Sequence, residues 1–184
     1  VLFRSKPYVK RGKNDAADAE AICEAVTRPT MRFVPVKSCE RQALLMQHKT
    51  RDLLVRQRTA LINALRGHLA EFGIVTSQGR LGLRAAIEAL SAAQEFLPEP
   101  SWQPFEHIRK QLEELTHKIA ELDRIILRWC RNEAAARRLM TIPGVGFLTA
   151  AAIAASVGDA TEFKSGRQFA AWLGLTPRQN SSGD

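Results

Sequence analysis

Apolar residues recur along the second half of the chain at alternating steps of three and four positions. Heptad spacing of this kind, sustained over more than three repeats, predicts a long helix whose apolar edge packs against another helix. The partner is either an earlier helix of the same chain or a second subunit, and the spacing does not choose between them. The repeating positions are Phe105, Ile108, Leu112, Leu115, Ile119, Leu122, Ile126 and Trp129.

A second long helix is predicted over 41–72, capped by Ser38 and ended by Gly73. Its basic residues form either an ordinary solvated face or a surface that contacts nucleic-acid phosphates, and the sequence favours neither. A shorter helix is predicted over 80–93, followed by a loop over 96–100. The basic residues in question are Lys49, Arg51, Arg56, Arg58 and Arg66.

Near the start of the chain, an Ala-rich segment predicts a helix that is capped by Asn14 or Asp15 and ends near Pro29. Asp15 and Asp18 are three residues apart and therefore share one side of this helix. Two carboxylates held together suggest a divalent metal site. The alternative is that both acids stabilise the helix N-terminus through its dipole. An extended segment is expected over 31–36.

The last 46 residues contain the motif Pro143-Gly144-Val145-Gly146 between two predicted helices. This is the helix-hairpin-helix pattern, in which glycines allow a tight turn and the amides opening the second helix can meet a phosphate. A further helix is predicted over 166–173. It is followed by a polar loop with Arg178, Ser181 and Ser182. The simpler interpretation is a small helical domain with a glycine turn and a serine-rich loop.

Composition narrows the choice of partner. The 184 residues carry a formal net charge of +8 and a pI of about 9.9, which favours a polyanionic partner. The three cysteines and four histidines lack metal-ligand spacing. The sequence has no membrane-length apolar run and no signal peptide, so a cytoplasmic location is expected. It also has no initiator methionine, and we expect a fragment that is open at both ends.

Taken in order, these motifs resemble the DEDD insertion-sequence transposases of the family numbered one hundred and ten, also called bridge-RNA-guided recombinases. The resemblance covers nearly the whole chain after about Lys10. Its specific parts are Lys13-Asn14-Asp15-Ala16-Ala17-Asp18-Ala19, Thr141-Ile142-Pro143-Gly144-Val145-Gly146, and Gly174-Leu175-Thr176-Pro177 followed by Ser181-Ser182-Gly183.

The resemblance implies a mainly α chain in three parts. Residues 1–36 would be the end of an RNase-H-like (RuvC-like) α/β domain, and 37–135 a helical coiled coil. Residues 136–184 would begin a transposase domain with the helix-hairpin-helix and the serine loop.

The resemblance also implies the roles of particular residues. Asp15 and Asp18 would be the last two acids of the DEDD set and bind Mg²⁺ or Mn²⁺, with the first two acids upstream of Val1. Ser182 would be the nucleophile, with Ser181 as the neighbouring alternative.

The implied function is a DNA transposase or recombinase that cuts and rejoins strands with metal and serine chemistry, guided by an RNA. Gly144, Gly146 and Arg178 are expected to contact DNA, and the coiled coil to form a homo-oligomer. Two alternatives remain at this point. One is a Holliday-junction-type metal nuclease without serine chemistry, and the other is a non-enzymatic helical module that binds nucleic acid.

Overall fold

A computed structural model describes residues 14–29, 36–77, 82–93, 96–158 and 160–175, and these residues are mainly helical, with no strand among them. A short 3-10 helix also occurs at Ala160–Glu162. The α-helices are α1 Asp15–Thr27, α2 Cys39–Glu71, α3 Gly82–Ala92, α4 Glu99–Asn132, α5 Ala134–Met140, α6 Phe147–Ser156 and α7 Gly166–Trp172.

The chain divides into two compact units, of which Cys39–Val157 is one. The residues before Cys39 and those after Val157 form the other. The two apolar clusters described below both lie, as far as the described residues show them, within the unit Cys39–Val157.

The long helices α2 and α4 pack against each other in opposite directions. The start of α2 meets the end of α4 through Leu44 and Ile126, while the end of α2 meets the start of α4 through Leu69 and Phe105. This contact answers the question left open by the heptad pattern, because the partner of the α4 seam lies within the same chain.

The two heptad positions of the α4 seam differ in burial. The first set is almost fully buried, with 2% or less exposure at Phe105, Leu112 and Ile126 and 4% at Ile119. The second set, Ile108, Leu115, Leu122 and Trp129, is only half-buried. Helix α2 therefore covers one edge of the seam completely and leaves the other partly open to solvent.

Two apolar clusters hold this unit together. One lies where α3 packs on the end of α2 and the start of α4, and it includes Leu65, Leu90 and Leu112. The other lies where α5 and α6 pack on the opposite end of the helix pair, around Ile126 and Cys130. Four alanines of α6 belong to this second cluster, and their small side chains allow α6 to lie close to α2 and α4.

The predicted loop over 96–100 is partly wrong, because α4 already begins at Glu99. Pro98 caps the helix and Pro100 lies in its first turn. Proline is tolerated there, since the first amides of a helix have no intrahelical acceptor. Prolines that suggested a break therefore mark a helix start.

Part of the predicted basic face of α2 points inward. Arg51 pairs with Asp123 of α4, and Arg66 donates a hydrogen bond of 3.3 Å to the carbonyl oxygen of Thr76. Arg56 pairs with Asp52 one turn earlier on the exposed surface, at 2.8 Å. Burial and the Arg51 charge lower the pKa of His48, which keeps that imidazole neutral near pH 7. Three of the five basic residues named above thus have partners within the chain, and one of them, Arg51, joins α2 to α4.

Candidate metal and nucleic-acid site

The acids of the predicted metal site lie in the first turn of α1. Asn14 caps the helix, and its side-chain oxygen accepts a hydrogen bond of 3.0 Å from the Ala16 amide. Asp15 is the first helical residue and Asp18 the fourth, and both are exposed. The prediction of a cap at this point is confirmed, and the spacing places both carboxylates on one side of the helix.

Asp15 and Asp18 supply the right type of ligand for a hard divalent ion but only part of a complete set. Mg²⁺ and Ca²⁺ prefer carboxylate oxygens and take six or more ligands. Among the described residues, no group of three or more histidine, cysteine, aspartate or glutamate side chains is placed to hold a metal. A complete site would need ligands from water, substrate or other residues, whereas the helix dipole accounts for two acids in this turn without a metal.

The glycine motif forms a tight turn between α5 and α6. Thr141 ends α5, and the Val145 amide donates a hydrogen bond of 3.0 Å to the Ile142 carbonyl. Gly144 has a φ of +85°, a left-handed conformation that side chains disfavour. Gly146 then caps α6, and the Ala150 amide donates to its carbonyl at 2.9 Å. The predicted helix–turn–helix geometry is therefore present.

Gly146 differs from Gly144 because its own backbone does not require glycine. Its φ of −80° suits any residue, and a Cβ placed there would have no atom of the described chain within 4 Å. No side chain caps α6, and in the described structure the amides of Phe147, Leu148 and Thr149 donate to no acceptor. The N-terminus of α6 is thus uncapped, and its first amides are free at the positive end of the helix dipole.

Side chains from the two long helices fix both ends of α6, the helix that follows the turn. Cys130 is fully buried at the end of α4, and its thiol donates a hydrogen bond of 3.3 Å to the Phe147 carbonyl at the start of α6. Burial raises the pKa of this thiol, so it stays protonated and can donate. The guanidinium of Arg41 donates to the Val157 carbonyl at 3.4 Å and thereby ties the other end of α6 to α2.

Helix α7 leads towards the predicted serine loop. The Ser165 hydroxyl accepts a hydrogen bond from the Gln168 amide at 3.3 Å, and the Gln168 side chain accepts one from the Lys164 amide at 2.7 Å. This reciprocal cap resembles a capping box. Three aromatic rings, Phe163, Phe169 and Trp172, pack together beside it. Arg178, Ser181 and Ser182 lie outside the described residues.

Sequence reasoning did not single out the arginines at the junction of α4 and α5. The segment 124–138 contains five arginines and one acid, Glu133. All five arginines are exposed, and none forms an ion pair within the described structure. The sequence signal for these residues was the local excess of positive charge over 124–138. The five are Arg124, Arg128, Arg131, Arg137 and Arg138, here called the arginine patch.

Comparison with known proteins gives the family. A family model described as "Transposase IS116/IS110/IS902 family" matches residues 136–184. A second model, a DEDD-type "Transposase" of the IS110 group, matches residues 3–74. The chain belongs to the IS110 family of transposases. No solved structure was found to match it.

Three relatives of this IS110-family chain illustrate the similarity. A "Probable family 20 transposase" of Pseudomonas aeruginosa is 50% identical over 180 residues, which are 97% of this chain and 53% of that protein. The "Transposase for insertion sequence element IS1328" of Yersinia enterocolitica is 38% identical, with the same two shares. The "Transposase for insertion sequence element IS1111A" of Coxiella burnetii is also 38% identical, over 97% of this chain and 50% of that protein. The chain therefore spans about half the length of the curated relatives it matches.

Both family models and all three relatives are described as transposases, and none of them is described as a junction nuclease or as a non-enzymatic module. In the described part of the chain, no helix is long and apolar enough to cross a membrane.

Proposed function

We propose that this protein is the DNA transposase of a mobile insertion element, and that it cuts and rejoins DNA strands with a divalent metal and a serine nucleophile. One observation carries the proposal: a DEDD-type match at 3–74 and a transposase match at 136–184 occur in one chain that is up to 50% identical to a named transposase. The proposed domains are the end of a RuvC-like domain at 1–36, a coiled coil at 37–135, and the start of the transposase domain at 136–184.

Asp15 and Asp18 are the proposed metal ligands, for Mg²⁺ or Mn²⁺. Their exposed position in the first turn of α1 and the DEDD-type match to this segment support the assignment. The metal would stabilise charge that develops on the phosphate and activate the attacking hydroxyl. Since only two ligands come from this turn, the upstream acids expected from the resemblance would complete the site.

The turn at Gly144 and Gly146 is the proposed helix-hairpin-helix, which binds the DNA backbone without reading bases. The open amides of α6 and the space above Gly146 support this role, because a phosphate can approach the backbone closely there. Arg178 is proposed as a further phosphate contact near the nucleophile.

Ser182 is the proposed nucleophile. Its hydroxyl oxygen would bond to the phosphorus of a DNA phosphodiester while the bond to one strand breaks, and the departing strand oxygen would take up a proton. A serine hydroxyl needs activation for this reaction near neutral pH. We also propose that an RNA guides the choice of site, which suits a basic protein in which base pairing reads the sequence.

A homo-oligomer through the coiled coil completes the proposal, together with a cytoplasmic location. The half-buried edge of the α4 seam supports an oligomer, because α2 leaves Leu115 and Leu122 partly open. A groove of about 600 Å³ between α2 and α4 runs along this edge and is lined by residues that include Leu61, Ala64 and Leu115.

The test uses the protein at its full natural length, with guide RNA and a labelled DNA substrate, and measures strand cleavage and the covalent protein–DNA adduct. Asp15→Asn and Asp18→Asn should each abolish cleavage while the thermal melt falls only slightly, since both side chains are exposed and each loses only its interaction with the helix dipole. Full cleavage by the double variant would remove the metal role from this turn.

The same assay assigns the nucleophile. Wild type should trap an adduct, Ser182→Ala should trap none, and Ser181→Ala should retain some. An adduct that survives Ser182→Ala but disappears with Ser181→Ala would move the role one residue upstream. Cleavage without any adduct in the wild type would contradict the serine chemistry.

A further inference from the structure

The positive charge of α4 is divided unevenly along its length. From Glu99 to Glu121 the helix has five acids and three bases among lysine and arginine. From Arg124 to the end of α6 the chain has the five arginines of the patch and a single acid. Because α5 and α6 continue directly from the basic end of α4, one end of this unit carries a concentrated positive charge.

The pairing of these charges also differs. Bases in the first part of α4 are neutralised by acids one turn away: Lys118 pairs with Glu114 at 2.6 Å, and Lys110 with Glu106 at 3.6 Å. Arg109 pairs with Glu106 at 2.6 Å and also contacts Glu113. The arginines of the patch have no such partner among the described residues.

The position of the patch on α4 leaves it free for a partner. At 3.6 residues per turn, Arg124, Arg128 and Arg131 share a stripe roughly opposite Ile126, whose side chain is fully buried against the core. The stripe is exposed and is not needed for packing. It places three charges at intervals of about 6 Å and 4.5 Å along the helix axis. A DNA strand, with one phosphate per about 3.4 Å of its axis, presents several phosphates over the same length.

Helix stability explains only part of this charge. Cations in the last turn of a helix interact favourably with its dipole, which accounts for Arg131 in α4 and for Arg137 and Arg138 in α5. The dipole effect falls off within one turn, so it does not account for Arg124 or Arg128. The patch contains no lysine, and the planar guanidinium is the cation that binds phosphate in a bidentate manner.

We propose that the arginine patch is a docking surface for the phosphate backbone of duplex DNA, contacted without regard to base sequence. The inference rests on the proposed function, since DNA is chosen over other polyanions because the protein is a transposase. The patch would extend the contact made at Gly144 and Gly146 along the outer face of α4. It gives the long helix pair a role in holding DNA and not only in joining domains.

The test compares two double variants of the full-length protein by fluorescence anisotropy, in metal-free buffer, with a labelled DNA duplex of arbitrary sequence. Arg124→Gln with Arg128→Gln removes two charges from the patch, and Lys110→Gln with Lys118→Gln removes two exposed but paired charges from the same helix. The patch variant should bind about tenfold more weakly, and its plot of log affinity against log salt should lose about 1.8 from its slope, or about 0.9 for each lost phosphate contact. A duplex of unrelated sequence should show the same loss.

The control variant should keep both its affinity and its salt slope, and a second patch variant, Arg137→Gln with Arg138→Gln, should weaken binding in the same direction. Unchanged binding by both patch variants would overturn the proposal. An equal loss in the lysine control would also overturn it, because total charge would then suffice. A loss for duplex RNA with none for duplex DNA would assign the surface to RNA instead.

The outcome is separable from that of the proposed function. Binding is measured without metal and does not require cleavage. Failure of the patch therefore leaves the roles of Asp15, Asp18 and Ser182 standing. If the wild type bound DNA through the patch but never cleaved it, the docking proposal would stand and the proposed transposase function would fail.

Discussion

At the scale of single residues, the two glycines of the turn are present for different reasons. Gly144 needs its missing side chain for conformation, because its φ of +85° places it in the left-handed region. Gly146 has an ordinary φ of −80° and empty space where a Cβ would be. The close approach of the DNA backbone, as proposed above, would account for a glycine at position 146.

Alanine substitution should separate these two reasons. Gly144→Ala should lower the free energy of unfolding by about 1–2 kcal/mol, the cost of the left-handed conformation for a residue with a Cβ. Gly146→Ala should leave the free energy of unfolding unchanged or slightly raised and yet weaken binding to duplex DNA. Urea denaturation and anisotropy measure the two quantities. If Gly146→Ala bound DNA as tightly as wild type, no phosphate would approach that backbone.

At the scale of elements, the α2–α4 pair depends on one edge of the α4 seam for stability. Leu112 is 1% exposed and belongs to the cluster that includes Leu65 and Leu90. Leu115, three residues later, is half-buried beside the groove. The closed edge stabilises the unit, and the open edge remains available for a second subunit.

Leu112→Ala should therefore lower the free energy of unfolding by about 2–5 kcal/mol, because it leaves a cavity in a packed cluster. Leu115→Ala, which removes the same atoms from a half-buried position, should cost clearly less. Equal losses in urea denaturation would mean that both edges are buried in the intact protein.

The open edge has its own test at this scale. Replacing Leu115 and Leu122 by Asp should dissociate the proposed homo-oligomer, since a second subunit would bury two unpaired charges. Sedimentation should then report a smaller mass than for wild type. The matched pair Thr116→Asp and His117→Asp changes exposed positions of α4 that do not line the groove, and it should keep the wild-type mass. A double leucine variant of unchanged mass would place the oligomer contact elsewhere.

At the scale of the whole molecule, the two apolar clusters belong to one unit, Cys39–Val157. Among the residues that the structure describes, the cluster around Ile126 and the cluster around Leu112 draw all their buried members from this range. A unit with a complete core can fold by itself.

Residues 39–157 expressed alone should accordingly give a helical circular dichroism spectrum and one cooperative thermal transition. A shorter piece, 39–132, lacks α5 and α6 and would expose Leu44, Ile126 and Cys130, so it should melt at a lower temperature. A non-cooperative melt of 39–157 would show that the remaining residues are needed to complete its core.

Local sequence was enough to predict most of the helices, the Asn14 cap and the glycine turn, although it missed the start of α4 at Glu99. Asn14 as a cap, Gly73 after α2 and the glycines between α5 and α6 act through the backbone within a few residues, so local chemistry determines them. The family resemblance was also visible in the sequence, because it rests on short motifs and on their order along the chain. Asp15 and Asp18 could be named in this way, whereas the roles proposed for Ser182 and Arg178 stay predictions.

Only the tertiary structure decided which charges are used inside the protein and which remain outside. Arg51 and Arg128 are both arginines on long helices, and the sequence alone does not distinguish them. In the structure Arg51 pairs with Asp123 across the helix pair, whereas Arg128 lies exposed and unpaired among the described residues. The same holds for Leu112 and Leu115, which the heptad pattern treats as equal and which differ in burial because α2 covers one edge of the seam. Periodicity fixes where a side chain lies on its own helix. What that side chain contacts depends on α2, whose last residue, Glu71, is about 40 positions before Leu112 in the chain.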